Sequence, residues 1–249
     1  MNEFYIGYLR KAPSGIARRI RVLVVVLFGL AVVCAILFAG VQRTYRPSTF
    51  EFGKQCTFEG LLEASPYPAL LVSRPGAPQT DTSRYLLVAA GKHGADREVA
   101  AYAGKNVRLS GTLIYRDNQT MIELLGDSIS VIDGVRPSPP AVQELGQFEL
   151  VGEIVDSKCY FGVMNPGNGK VHRDCAVRCL SGGVPPVFVT NDFNGKPAAL
   201  LLTGLNAEPF PKNDFLDRVA RPVRIRGRVT RAGDTMFLRS EASAISRIR

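Results

Sequence analysis

Residues 22 to 41, VLVVVLFGLAVVCAILFAGV, carry no charged side chain, and no other stretch restricts the fold of this chain as much. A surface helix of a soluble domain keeps a polar face; this run has none. About 20 apolar residues are what a helix needs to cross a hydrocarbon core of about 30 Å. A secretory signal has a shorter apolar region, about 7 to 15 residues, followed by small residues at a cleavage site. Here Phe38-Ala39-Gly40 puts a bulky ring where a small side chain is wanted. The expectation is a retained single transmembrane helix over 22–41.

The flanking charges set a direction. Arg10, Lys11, Arg18, Arg19 and Arg21 precede the run with one acid, Glu3, whereas Arg43 and Arg46 are the nearby cations after it. The positive-inside bias keeps residues 1–21 in the cytoplasm and sends the rest across. In a bacterium this is a single-pass inner-membrane protein with its C-terminal domains in the periplasm. Lys and Arg number 31 against 22 Asp and Glu, a net charge of +9. In the cytoplasm that excess would raise nucleic acid as a partner. Across the membrane it points instead to anionic headgroups, an acidic protein surface or a solvated basic face, and no nucleic-acid partner is expected.

The exported part reads as a repeat. VRLSGTLIYRDNQTMIEL from Val107 aligns with VRIRGRVTRAGDTMFL from Val223, each a strand with a Gly, a polar turn, Thr-Met and a second strand. FEGLLE around Gly60 matches LVGEIV around Gly152, and YLLVAAG ending at Gly91 matches ALLLTG ending at Gly204. A short helical segment, DREVAAYAG or KNDFLDRVA, precedes each final hairpin. Alternation such as Val223, Ile225, Val229 marks half-buried strands. Five strands with a helix between the third and fourth match the OB-fold barrel. The expected architecture is mainly β, two tandem OB-like barrels over 47–132 and 144–249, joined by a Pro-rich linker over 133–143. A single larger β-sandwich is the rival, and the repeat opposes it.

The two copies differ in one place. Gly60 precedes the next strand, near Leu70, by about ten positions, whereas Gly152 precedes Val187 by 35. The surplus, 158–186, is an insertion that a barrel does not need, and long loops in compact domains tend to be functional or disordered. Its Cys, Phe, Met and Val content opposes disorder. It holds three of the five cysteines and one of the two histidines: Cys159, His172, Cys175 and Cys179, spaced C-x12-H-x2-C-x3-C. HRDCAVRC reads as a helix stopped by SGG, so Cys175 and Cys179 share a face with His172 on the same side.

Three chemistries stay open for this set. Three thiolates and an imidazole make a tetrahedral zinc site, and a C-x3-C pair with a nearby His is similar to the copper arrangement of cytochrome oxidase subunit II and its copper-delivery proteins; soft thiolates suit Cu(I). In an oxidising compartment Cys56, Cys159, Cys175 and Cys179 can instead form two structural disulfides, one across about 15 residues contributing about 3 kcal/mol. A redox-active thiol pair is the third.

The stretch GEIVDSKCYFGVMNPGNGKVHRDCAVRCLSGGVPPVFV resembles the signature of a family of uncharacterised bacterial membrane-anchored envelope proteins. There G-x-[IV]-V-D-x-[KM]-C is followed by H-x-x-C-A-x-x-C-[IL]-x-x-G-x-P and a strand. The resemblance covers about 40 residues; it implies an envelope location and a shared motif without a proven reaction, and it points to Cys159, His172, Cys175 and Cys179. Cys56 lies outside it.

Other motifs fail. NPGNGKV lacks the Gly and the Ser or Thr of a phosphate loop, since Met164 and Val171 stand there; it reads as a turn. Neither C-x-x-C-H nor G-x-S-x-G occurs. A thiol hydrolase using Cys with His172 has no third group to orient it. His93 reads as a solvated loop residue, Cys34 as an apolar residue of the span, and Arg224, Arg226 and Arg228 as a solvent-facing stripe. The reading is an accessory protein without turnover of its own, binding copper or zinc or exchanging thiols for another membrane or periplasmic protein. The alternative is a non-catalytic interaction subunit with structural disulfides.

Overall fold

The apolar run folds as α1 (Ser14–Val41), a helix of 28 residues. In the computed structural model, residues 11–41, 48–74, 82–134 and 137–248 are described. The basic segment up to Arg10, the flanking Arg43 and Arg46, and linker residues 135 and 136 lie outside them. α1 starts before the apolar run because Arg18, Arg19 and Arg21 are good helix formers, and the Pro13 carbonyl accepts the Ala17 N–H at 2.9 Å. None of its residues is buried, and among the described residues it is the helix long and apolar enough to cross a membrane.

Residues Arg46–Arg249 form a compact unit of their own, built from two closed five-stranded barrels. The first uses β2 (Cys56–Glu63), β3 (Ala69–Ser73), β4 (Thr82–Val88), β5 (Asn106–Arg116) and β6 (Gln119–Leu124), with β1 (Ser48–Phe50) and β7 (Ser130–Val131) added on β5. β5 pairs with both β2 and β6 and so closes the sheet; β4 and β6 run parallel, and the other pairs antiparallel. The second repeats this order with β8 (Val142–Asp156), β9 (Pro186–Phe193), β10 (Lys196–Thr203), β11 (Val223–Ala232) and β12 (Thr235–Arg239), plus β13 (Ile245–Arg247) on β11. Its parallel pair is β10 and β12. These are the two OB-like barrels that the repeat leads one to expect.

The matched glycines have matched physical causes. A Cβ on Gly60 would lie 2.1 Å from the Leu71 carbonyl oxygen, and one on Gly152 2.1 Å from that of Val189. Gly111 and Gly227 face the Glu123 and Arg239 carbonyls at 2.4 and 2.5 Å in the same way. At each of these four places a neighbouring strand approaches too closely for a side chain.

The connections before the last hairpins differ. In the first barrel it is α2 (Asp96–Val99) continued by a 3₁₀ turn, Ala100–Tyr102. In the second, KNDFLDRVA makes two 3₁₀ turns, Lys212–Asp214 and Leu216–Arg218, with no α-helix. Phe215 breaks the run at φ −137° and drops its ring into the core, 5.7 Å from that of Phe210.

Each barrel has its own core, around Leu62, Leu87, Leu109 and Ile122 in the first and Ile154, Phe188, Leu202 and Ile225 in the second. A third buried cluster joins them. It takes Leu86, Ile114 and Met121 from the first barrel, Val187, Leu201 and Phe237 from the second, and Cys159, Phe161, Cys179 and Val184 from the insertion. Tyr67 crosses the same interface, donating to the Leu202 carbonyl at 2.7 Å and accepting from the Phe210 N–H at 3.0 Å.

Candidate metal centre

The insertion leaves the second barrel after Asp156, at the end of β8, and returns at Pro186, its partner on β9. Asp156 starts it: one carboxylate oxygen accepts the Cys159 N–H at 2.8 Å, closing a local turn of the kind Asp side chains favour. A π-helical turn follows over Cys159–Val163, which buries Phe161. Gly162 lets this turn press on the first barrel, since a Cβ there would lie 2.3 Å from the Thr49 carbonyl.

NPGNGKV is a turn, as read. Its Gly169 N–H, which a phosphate loop would offer to an anion, is taken by Glu153 at 2.8 Å. A 3₁₀ turn, Lys170–His172, then leads into α3 (Arg173–Ser181). Asp174 stands in its first turn, where a negative charge suits the helix dipole. Gly182 and Gly183 end it, and a Cβ on Gly182 would lie 1.9 Å from the Lys92 carbonyl. Besides stopping α3, SGG admits a loop of the first barrel, whose Gly94 N–H donates to the Gly182 carbonyl at 3.0 Å.

All four residues singled out by the sequence come together here. A ring nitrogen of His172 and the sulfurs of Cys159 and Cys175 lie within 4.8 Å of one another, and so do a carboxylate oxygen of Asp156 and the sulfurs of Cys159 and Cys179. His172 stands at the cap of α3, ahead of its first turn, and its ring still reaches the cluster. Its Nε2 lies 2.8 Å from Asp156 Oδ2, both side chains fully buried, while its Nδ1 is buried with no hydrogen-bond partner among the described residues. With Nε2–H given to the carboxylate, Nδ1 carries the free lone pair. A metal-bound histidine has this arrangement, its second nitrogen held by a carboxylate.

Cys159 Sγ and Cys175 Sγ are 3.8 Å apart. A disulfide needs about 2.05 Å, whereas two sulfurs on one tetrahedral metal at about 2.3 Å each are themselves about 3.8 Å apart. All five cysteines are free, and Cys56, at the exposed start of β2, joins neither cluster. The group can hold a metal ion.

The electrostatics favour an anionic sulfur at Cys179 and a protonated one at Cys159. The Cys159 thiol donates a hydrogen bond to the Cys179 sulfur, which holds the Cys159 thiol above its ordinary range and the Cys179 thiol below it. Burial adds to the rise at Cys159. Lys92 Nζ, from the first barrel, donates to Cys175 Sγ at 2.8 Å and lies 4.0 Å from Cys179 Sγ; that hydrogen bond raises the Lys92 pKa. Lys158 holds the loop in place. Its buried ammonium pairs with Glu123 and donates to the carbonyls of Ala89 at 3.0 Å and Gly91 at 2.6 Å.

Sequence reasoning missed Asp156, Lys158 and Lys92, and its expectation that no third group orients His172 is corrected here, since Asp156 holds the ring. Asp156 left a signal, an acid three residues before Cys159, the spacing of a side-chain turn. Lys92 left none, being 83 positions from Cys175. His93 is exposed in its turn, as expected. The stripe of Arg224, Arg226 and Arg228 is also exposed, with Arg224 and Arg226 paired to Glu149 of β8 at 2.6 and 2.5 Å.

Comparison with protein-family models, with curated proteins and with solved structures finds no match to this chain.

Proposed function

We propose that this chain is a membrane-anchored periplasmic accessory protein that holds one copper or zinc ion on Cys159, His172, Cys175 and Cys179. The observation that carries this reading is His172: a buried imidazole with one nitrogen fixed on Asp156 and the other unpartnered, beside two sulfurs at metal-bridging distance. In it, the three cysteines supply thiolates, Asp156 orients the ring, and Lys92 offsets part of the negative charge. The metal would supply a soft Lewis-acidic or redox centre for a membrane or periplasmic partner. α1 and the resemblance to envelope proteins support the location.

Thiol exchange is the second reading, favoured by the half-buried Cys175 and its distance to Cys159. The Cys175 thiolate would attack a partner's disulfide, forming a mixed disulfide and releasing one partner thiolate. Attack by the Cys159 thiolate on the Cys175 sulfur would release the second and leave a Cys159–Cys175 disulfide, with two electrons passed to the partner.

One sample tests both readings. The full chain is purified in detergent without chelator, and its metal content and free thiols are measured together. About one metal per chain with three thiols protected from alkylation until chelator is added supports the metal site. No metal, even after copper or zinc is offered to the reduced protein, with thiols that cycle against a disulfide, supports exchange.

A further inference from the structure

We propose that the cysteine module opens to solvent at Cys175 and Lys92, and that this opening takes an anionic thiol as the carrier that brings or removes the metal. The carrier rests on the metal reading above; the opening belongs to the protein without metal.

The four side chains are not equally covered. Cys159, His172 and Cys179 are 3, 2 and 1 % exposed, whereas Cys175 is half-buried and the contact of its Sγ with Lys92 Nζ is exposed. A reagent in solution therefore meets Cys175 before the other three. Cys175 Sγ is 3.8 Å from Cys159 Sγ, so a ligand that takes its place reaches the buried set directly.

Lys92 covers this opening with a movable charge. Its backbone is held, because its carbonyl stands against Gly182 and the Gly94 N–H donates to the Gly182 carbonyl at 3.0 Å. Its side chain is exposed, and a lysine carries its ammonium on a flexible four-carbon stem. Lys92 is bonded to the Cys175 sulfur itself. Asp174 and Arg178, exposed on either side of Cys175 along α3, carry opposite charges.

Three thiolates around one copper or zinc ion leave the site net negative, and like charge repels an anionic donor. An ammonium at the mouth reverses that sign and draws the donor in; a neutral thiol gains nothing from it. As the sulfur of the carrier bonds to the ion, the bond from Cys175 breaks, and the Cys175 thiolate keeps its hydrogen bond to Lys92. Charge is conserved and no electron moves.

The test uses the full chain in neutral detergent. The reduced, metal-free protein is treated with anionic iodoacetate or neutral iodoacetamide, and the modified cysteines are located by mass spectrometry. Cys175 should react before Cys159 and Cys179. The ratio of the two rates at Cys175 should fall about threefold or more in Lys92→Gln, the loss of one unit charge at contact distance, and should be kept in Lys92→Arg. At Cys56 it should not change. Taking the ratio removes any change in the reactivity of the thiol itself. Added salt should lower the Cys175 ratio in the unaltered chain as well, a reading that holds whether or not the variants fold. Cys159 or Cys179 reacting as fast as Cys175, or a ratio indifferent to salt and to Lys92, overturns the opening. On the zinc-loaded chain, mercaptoethanesulfonate should speed transfer of zinc to a chromophoric chelator more than neutral mercaptoethanol does, and Lys92→Gln should remove the difference. Equal rates with the two thiols overturn the carrier. A chain that takes up neither zinc nor copper overturns the metal reading and the carrier together, and alkylation alone then decides the opening.

Discussion

His172 Nε2 lies 2.8 Å from Asp156 Oδ2, with neither side chain reached by solvent. The other oxygen of the same carboxylate caps the Cys159 amide, so one residue orients two ligands of the proposed site. Asp156→Asn keeps the shape, removes the charge and can serve only one of the two donors with its oxygen. Zinc affinity should fall about 10- to 100-fold, the usual effect of losing such an outer partner, measured by competition with a chromophoric chelator at fixed pH. A folded variant with unchanged affinity would remove Asp156 from the site.

His172→Ala and Cys175→Ser separate a metal site from a structural staple. Both variants should lose the bound metal. With chelator present, Cys175→Ser should unfold within about 0.5 kcal/mol of the unaltered chain, because Cys175 is half-buried and bonded to no other sulfur. His172→Ala strands the buried Asp156 carboxylate and should cost about 1–3 kcal/mol. Urea unfolding with and without chelator reads both. If the cysteines are disulfide staples the order reverses, with Cys175→Ser lowering stability and His172→Ala doing little.

The barrels and the cysteine module were legible because their determinants are local. The Gly60 and Gly152 matches, the alternation along Val223, Ile225 and Val229, and the surplus between Gly152 and Val187 all lie within single stretches of chain. The closing of the module by the first barrel was not legible. Lys92 meets Cys175 across 83 positions, and the Lys158 ammonium meets Glu123 and two carbonyls of the first barrel. Side-chain spacing reports which residues share a face; it carries no record of which other barrel packs on that face.

The close approach at Gly182 offers a test of that packing. Gly182→Ala puts a methyl 1.9 Å from the Lys92 carbonyl, backbone that cannot rotate away, and should cost about 1–3 kcal/mol as overpacking does. Gly126→Ala, with nothing within 4 Å, is the control and should be near neutral. Denaturant unfolding compares them, and equal stabilities would show that the loop and α3 do not meet in solution.

Lys158→Met removes a buried ammonium from Glu123 and from the carbonyls of Ala89 and Gly91. Breaking a buried ion pair by taking one partner costs about 3–5 kcal/mol; Glu123 is partly exposed, so the low end is expected. The loop bearing Lys92 is then released, and hydrogen exchange over residues 89–94 should speed up beyond what global destabilisation accounts for. Retained protection there would mean that the contacts of Gly94 with Gly182 and of Lys92 with Cys175 hold the loop without Lys158.

Burial raises the Tyr67 phenol well above its ordinary range. Folded, Tyr67 keeps its proton where an unfolded tyrosine has lost it, at pH above about 10. The unfolded state then binds fewer protons than the native one, so stability is fully present below about pH 10 and falls as pH rises beyond it. Tyr67→Phe should flatten that alkaline fall. It also strands the Leu202 carbonyl and the Phe210 N–H, lowering stability at neutral pH by about 1–3 kcal/mol. Urea unfolding between pH 7 and about 11 measures both effects, and an alkaline fall of equal slope in the two proteins would show that the Tyr67 hydroxyl does not bridge the barrels.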